Sequence, residues 1–380
     1  MRVAAISHSC VIDVNQQIYA DLLRYPDVDL LLIAPERWYS SLRGDITFSA
    51  LPALEQAAHA LPVRFQGHIH FHWYEGLGPV LGQFSPDILY LDEEPYSLVS
   101  TQALAWRNYL GCKLVFYTKQ NLPKRYLPPF SWMQSRILQA SDHAMVVSQE
   151  AAEVLRRKGY AGPTTELPHG VDPQQVPKGD SADLRNRLGV QGPAVGYVGR
   201  IANEKGVWDL LQAVRILVDR LGQSFSVVMI GDGPARWKLE DAVERTLPPG
   251  LVTFTGSVAH HAVPDYLNML DVLVLPSRTQ RHWKEQFGRV LVEALACGTP
   301  IVGSTSGHIP AVIESTGGGV TFREGDVHDM ADKVERLLSD QSLAHDLAAS
   351  GQAAVLERYS YHTIAGLLHG ALTDALRGGA

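Results

Sequence analysis

Glu285 and Glu293 stand at the two ends of the run EQFGRVLVE, and the residues between them read as the start of a helix. Val290, Leu291, Ala294 and Leu295 recur at helical spacing and Gly298, Thr299 and Pro300 end the pattern, which predicts a helix from Phe287 to Cys297. Val292 and Ala296 fall on the other side of that helix, so it is expected to be apolar nearly all round and buried. Glu293 is the exception. An unpaired carboxylate there would be costly, so it must meet a donor, either an Arg from elsewhere in the chain or a ligand hydroxyl. Glu285 falls at the mouth of the helix, where the first amide N–H groups have no intrahelical acceptor and form a seat for an anion such as phosphate. Gly288 would let that anion approach the backbone.

A second loop adds positive charge. In GRIANEKGVW, Gly199 turns the chain, Arg200 and Lys205 project, and Gly206 opens a helix. An Arg can grip a diphosphate with two prongs and a Lys supplies a point charge, although loop cations are also often merely solvated. Taken together, EQFGRVLVEALACGTPIVGS and the GR-x4-KG loop resemble the paired-Glu motif and the diphosphate clamp of family 4 retaining glycosyltransferases. The resemblance implies that Glu285 contacts the transferred sugar and that the backbone from Phe287 and Gly288 into Arg289 and Val290 holds the diphosphate. It further implies that Glu293 binds ribose hydroxyls and that Arg200 and Lys205 clamp the diphosphate and share in catalysis. GDGP from Gly231, and LPSR with Pro276 and Ser277, fall at strand ends that resemble donor-pocket wall in the same family. No metal is expected, because the two cations and the helix mouth already supply positive charge.

These residues must be carried by an α/β scaffold. Short apolar runs alternate with helix-period segments along the whole chain, which predicts parallel sheets with helices on both faces. Strands are expected at 3–8, 29–34, 64–73, 87–91, 113–117 and 143–147, and then the Pro-, Gly- and Asp-rich stretch from His169 reads as a linker. The alternation restarts at Ala194. Residues 1–175 form one expected domain and 176–359 a second, with the final helix over 360–380 returning to the first. The resemblance implies the GT-B arrangement: two facing doubly wound Rossmann-like domains with a cleft between them, acceptor in the first and nucleotide-sugar donor in the second.

In the first domain, YLDEEPYS ends a strand with Asp92, Glu93 and Glu94 in succession. Such acids can simply complement a helix N-terminus. Many members of the resembled family carry a His–Glu–Pro triplet here, and this chain has Glu93 in the position of the His, which makes Glu93 the candidate for handling the acceptor hydroxyl. The loop SHSCVIDVNQQ lacks the paired glycines that many relatives use on donor phosphates. His68, His70 and His72 alternate along the strand expected at 64–73 and read as a polar strand face rather than a metal site, and Asp27 and Asp29 read as a turn. Lys119, Lys124, Arg125 and Arg136, interleaved with Tyr126, Phe130 and Trp132, suit either a peripheral contact with an anionic membrane or a soluble acceptor groove.

A length of 380 residues with 46% hydrophobic content bounds the chain to two globular domains, and a net charge of −7 argues against general nucleic-acid binding. Cys10, Cys112 and Cys297 are scattered singly, which suits a reducing cytoplasm, and neither a signal peptide nor a membrane-spanning run is expected. The expected activity is therefore transfer of a sugar from a UDP- or GDP-linked donor to a sugar, lipid-linked or small-molecule hydroxyl acceptor, in the cytoplasm or at the inner membrane face. A nucleotide-sugar epimerase or hydrolase on the same architecture, and a binding protein without catalysis, are the competing readings.

Overall fold

The computed structural model describes residues 1–40, 44–177 and 181–378. Two compact units emerge, one of Met1–His169 with the chain from Tyr361 onward, the other of Gly170–Ser360.

In the first unit the described strands are β1 (Arg2–Ile6), β2 (Asp29–Pro35), β3 (Arg37–Ser40), β4 (Gly44–Thr47), β5 (Ala58–Leu61), β6 (Val63–Arg64), β7 (Trp73–Tyr74), β8 (Ile88–Leu91), β9 (Lys113–Thr118), β10 (His143–Val146) and β11 (Thr164–Glu166). Seven of them make one parallel sheet in the order β11-β10-β9-β8-β1-β2-β5. Consecutive residues such as Val3–Ile6 and Ile88–Leu91 are buried without a polar alternate, because helices cover both faces of the sheet. Turn chemistry sets the helix ends. Ser97 caps the helix Leu98–Leu110 by accepting from the Ser100 amide, and Gly111 ends it in the left-handed region.

The strand expected at 64–73 does not form. Only β6 and β7 pair there, antiparallel, and the chain between them turns through Phe65 (φ 58°) and Gly67 (φ 79°). His68, His70 and His72 therefore share no strand face. His68 is exposed, His70 half-buried and His72 fully buried. At the other end of the chain, the helix Tyr361–Arg377 packs against Gln17–Leu22. Tyr361 donates to the Val14 carbonyl at 3.1 Å, and the His369 ring stacks on Tyr25 at 4.1 Å with Nε2 2.9 Å from Asp27.

The second unit carries β12 (Ala194–Val198), β13 (Ser226–Ile230), β14 (Val252–Gly256), β15 (Val272–Leu275), β16 (Ile301–Ser304) and β17 (Gly319–Phe322), parallel in the order β14-β13-β12-β15-β16-β17. Val195, Tyr197, Val227, Met229, Val272 and Val274 form its core with the helices Val207–Leu221 and Val327–Ser339. Asp326 and Asp340 cap the helices that follow them. The helix expected at Phe287 begins at Arg289 and ends at Ala296. Gly288, with φ 78°, holds the left-handed turn that delays its start. Leu291, Val292, Ala294, Leu295 and Ala296 of that helix are buried as expected, and Glu293 is its polar exception with a side chain 18% exposed. No helix among the described residues is long and apolar enough to cross a membrane.

Candidate functional site

In the second unit the chain builds β12, β13 and β14 outward in one direction and then returns to lay β15, β16 and β17 on the other side of β12. The loops leaving β12 and β15 therefore part above the sheet, and that switch point is where open α/β sheets bind ligands. Lys205 lies in the loop after β12 and Glu285 in the segment after β15, 80 residues apart in sequence, and the fold brings Lys205 Nζ to 2.7 Å from Glu285 Oε2. The Ser277 hydroxyl donates to the same oxygen at 2.7 Å. Trp283 presents its ring 4.8 Å from the Lys205 ammonium. Position 206 must be glycine for this geometry: φ is 69°, and a Cβ there would lie 1.8 Å from the Pro276 carbonyl oxygen. The turn that aims Lys205 is thus seated directly on the loop that carries Ser277, whose own carbonyl accepts from Ser304 Oγ at 2.6 Å.

The other donor-site candidates surround this cluster less tightly. Arg200 is about half exposed, with its guanidinium 3.6 Å from Glu204. Arg278, one residue beyond Ser277, is held by Asp209. Phe287 is buried with its ring stacked on His308 at 5.7 Å, and Arg289 and Val290 are half-buried at the start of their helix. Glu293 lies 3.7 Å from His260 Nε2, so an imidazole stands where an Arg was the protein partner expected, the alternative being a ligand hydroxyl. Gly231 leaves room for the loop after β12, since a Cβ there would stand 2.0 Å from the Gly199 carbonyl oxygen.

The first unit holds a second cluster at the carboxyl ends of its strands. All three acids after β8 are engaged: Asp92 by the Ser7 and Ser9 hydroxyls (2.7 and 3.1 Å), Glu94 by the Thr118 hydroxyl (2.7 Å) and the Lys119 amide (2.9 Å), and Glu93 by His8. None of them lies in the first turn of the following helix. Glu93 Oε1 accepts the His8 main-chain N–H at 2.7 Å, Oε2 lies 2.7 Å from His8 Nδ1, and the buried His72 stands 3.4 Å away without hydrogen-bond geometry. Burial alone would push the Glu93 carboxyl up, but attraction from His8 and His72 outweighs it and holds the group well below the ordinary range. Burial disfavours charge on His8 too, and Glu93 and Asp92 overcome it, leaving the imidazole raised. The ligating atoms of His8, His72 and Glu93 lie within 4.8 Å of one another. Both Glu93 oxygens accept hydrogen bonds from His8.

Residues 182–354 match the family described as Glycosyl transferases group 1, and residues 34–175 match Glycosyltransferase Family 4. The chain belongs to the family 4, group 1 glycosyltransferases. Among curated relatives it is 31% identical over 206 residues to a 2-deoxystreptamine glucosyltransferase of Streptomyces kanamyceticus, covering 53% of this chain and 52% of that one. It is also 31% identical over 258 residues to a D-inositol 3-phosphate glycosyltransferase of Stackebrandtia nassauensis, covering 64% and 56%. The chain thus spans about half the length of the curated relatives it matches. The solved structure of Anabaena Alr3699/HepE in complex with UDP superposes with a TM-score of 0.76 at 18% identity, covering 98% of this chain and 100% of that one, which establishes the GT-B fold.

In this glycosyltransferase chain the fold gathers Lys205, Ser277 and Glu285 into direct contact, while Arg200 and Glu293 have looser neighbours of their own. Motif reading missed His8 and Trp283, and it set His72 on a polar strand face where the fold buries it beside Glu93. His8 directly follows the first strand in SHSC, and the signal that could have found it was the strand order that sets β1 beside β8.

Proposed function

We propose that the chain transfers a sugar, with retention of anomeric configuration, from a UDP- or GDP-linked donor held by the second unit to a hydroxyl acceptor held by the first. The observation that carries this reading is the Lys205–Ser277–Glu285 cluster at the sheet's switch point, inside the segment that matches the group 1 family. Glu285 takes one of the three ammonium N–H donors of Lys205, and Arg200 is exposed enough to swing toward a diphosphate. These two cations would balance the charge left on the departing nucleoside diphosphate without a divalent metal. The acceptor enters on the face from which the diphosphate leaves. Glu285 lies against the transferred sugar and Glu293 against the ribose, where exchange of its imidazole neighbour for a hydroxyl is a small rearrangement. The two curated relatives are named for cyclitol acceptors, which places cyclitols beside sugars and lipid-linked hydroxyls as substrates to test.

Thermal-shift screening against UDP- and GDP-sugars, followed by transfer assays with the donor that binds, tests the reading. Donor turnover that needs no acceptor would instead assign an epimerase or hydrolase, and binding with no turnover under any acceptor a binding protein. Glu293→Gln is expected to raise the donor KM with kcat unchanged, because a ribose contact is equally strong in ground and transition states. A kcat that collapsed at constant KM would remove the ribose assignment.

The reading extends to a membrane surface. Phe71 packs on Phe130 at 5.2 Å, which joins the exposed apolar side chains of Ile69 and Phe71 to those of Leu127 and Trp132, beside exposed Lys124 and Arg125. Aromatic side chains flanked by cations suit the interface of an anionic bilayer. Wild type is expected to float with phosphatidylglycerol vesicles and a Lys124→Glu, Arg125→Glu double variant to stay behind. Negligible flotation of both would discard the membrane contact in favour of a soluble acceptor groove.

A further inference from the structure

Glu293 stands one turn into the helix Arg289–Ala296, and the segment that leaves the carboxyl end of β14 carries His260 up to it. Both lie inside the second unit. Local chemistry fixes the His260 side of this pair. Gly256 ends β14 at φ 73°, and its carbonyl accepts the Gly231 amide at 2.9 Å, which ties the turn to the loop after β13. The Ala262 amide then donates to the Ala259 carbonyl at 2.9 Å and closes the single turn of 3₁₀ helix His260–Ala262. Pro264 falls in the first turn of the helix Val263–Asn268 that follows, where its missing N–H costs nothing. That helix is fastened to the Glu293 segment: the buried Thr299 hydroxyl, just beyond the end of the Glu293 helix, donates to the Leu267 carbonyl at 2.7 Å. The imidazole and the carboxylate are therefore held in a common frame.

The gap between the two groups points to what fits there. His260 Nε2 is 3.7 Å from Glu293 Oε1, too long for a hydrogen bond between those atoms. The two side chains are 22% and 18% exposed, so a ligand reaches both while most of each is shielded from water. Two polar tips so placed match two hydroxyls on neighbouring carbons, which lie side by side on one face of a ribose ring. We propose that His260 is a second ribose-reading residue: Glu293 takes one hydroxyl of the vicinal diol and His260 Nε2 takes the other. The proposal rests on the donor reading above, in which Glu293 meets the ribose. An ionised carboxylate only accepts, so its hydroxyl donates to it. An imidazole nitrogen accepts or donates according to tautomer, and a hydroxyl answers either. When Glu293 exchanges the imidazole for one hydroxyl, the imidazole is left beside the other. A nucleotide that lacks either hydroxyl leaves one of the two side chains without its partner in a shielded site, which narrows the ligand to ribonucleotides.

The test measures by calorimetry the affinity of UDP and GDP, and of their 2′-deoxy and 3′-deoxy analogues, for wild type, His260→Ala, His260→Phe and Glu293→Gln, with folding followed by circular dichroism. His260→Ala is expected to weaken binding of the ribonucleotide about 3–10-fold, the scale of one neutral hydrogen bond. How that loss divides between the analogues is the signature. One deoxy analogue should bind wild type and His260→Ala equally, because the hydroxyl that His260 reads is already gone, whereas the other should lose as much as the ribonucleotide does. Glu293→Gln should show the opposite division. His260→Phe keeps a ring without the nitrogens and should behave as His260→Ala, which separates a lost hydrogen bond from a packing defect. Penalties for both deoxy analogues that are the same in wild type and His260→Ala, or wild-type ribonucleotide affinity in His260→Phe, would overturn the proposal. A wild type that binds neither ribonucleotide removes the donor reading itself, and one that binds the deoxy analogues as tightly as the ribonucleotides removes the ribose role of Glu293; either takes this inference with it. Discrimination altered by Glu293→Gln and untouched by the His260 variants removes this inference alone.

Discussion

Lys205→Ala is expected to lower kcat/KM for sugar transfer by about 10²–10³, the scale for removing one preorganised stabiliser of developing charge. The expectation comes from how rigidly the ammonium is aimed. Gly206 is wedged against the Pro276 carbonyl, Glu285 binds Nζ at 2.7 Å, and Trp283 closes one side, so the charge needs little reorganisation as the diphosphate departs. Lys205→Ala also takes one donor from the Glu285 carboxylate, which keeps the Ser277 hydroxyl at 2.7 Å. The double variant with Glu285→Gln separates the two effects. If Lys205 acts on the diphosphate, Lys205→Ala still impairs transfer in the Glu285→Gln background; if its whole task is to neutralise Glu285, that second step costs nothing. Arg200→Ala should cost less than Lys205→Ala, because the Arg200 side chain is 48% exposed and must be ordered by the ligand. Unchanged kinetics in both single variants would remove the diphosphate clamp.

Replacing Glu93 should produce the largest loss of stability that a single side chain at either cluster can cause. Breaking a buried ion pair by removing one partner costs about 3–5 kcal/mol, and in a unit of this size each kcal/mol lowers the midpoint by about 2–4 °C. The cost depends on pH in a way that the two shifts dictate. The Glu93 carboxyl is held below its ordinary 4.5, so its contribution is complete above that value and drains away as acidification reaches its lowered folded value. The His8 imidazole is raised above 6.5, so its contribution is complete below 6.5 and is lost as the pH rises through the raised value. Both are fully present between pH 4.5 and 6.5. The melting-temperature gap between wild type and Glu93→Gln should be widest in that window and narrow on the alkaline side. A gap constant from pH 5 to 9 would show that Glu93 stabilises by packing and not by its charge.

Much of the scaffold was legible from local pattern. The strands expected at 29–34, 87–91, 113–117 and 143–147 and the final helix lie close to where periodicity placed them, because each depends on neighbouring residues alone. The 64–73 stretch misled for the same reason. Alternating histidines carry the period of a strand, but a period does not supply a neighbouring strand, and the turns at Phe65 and Gly67 send the chain back on itself before one can pair. Glu293 misled differently: its helix is apolar by sequence, yet the side left open by the packing falls on the glutamate.

The sequence by itself determined the two-sheet architecture and the family to which the chain belongs. Only the tertiary structure decided that Lys205 meets Glu285 and Ser277, that Glu93 is enclosed, and that His8 is the exposed end of its pair. Contacts across 80 and 85 residues are set by which strands lie side by side, and strand order is fixed by the burial of whole sheet faces rather than by any property of the loops that it brings together.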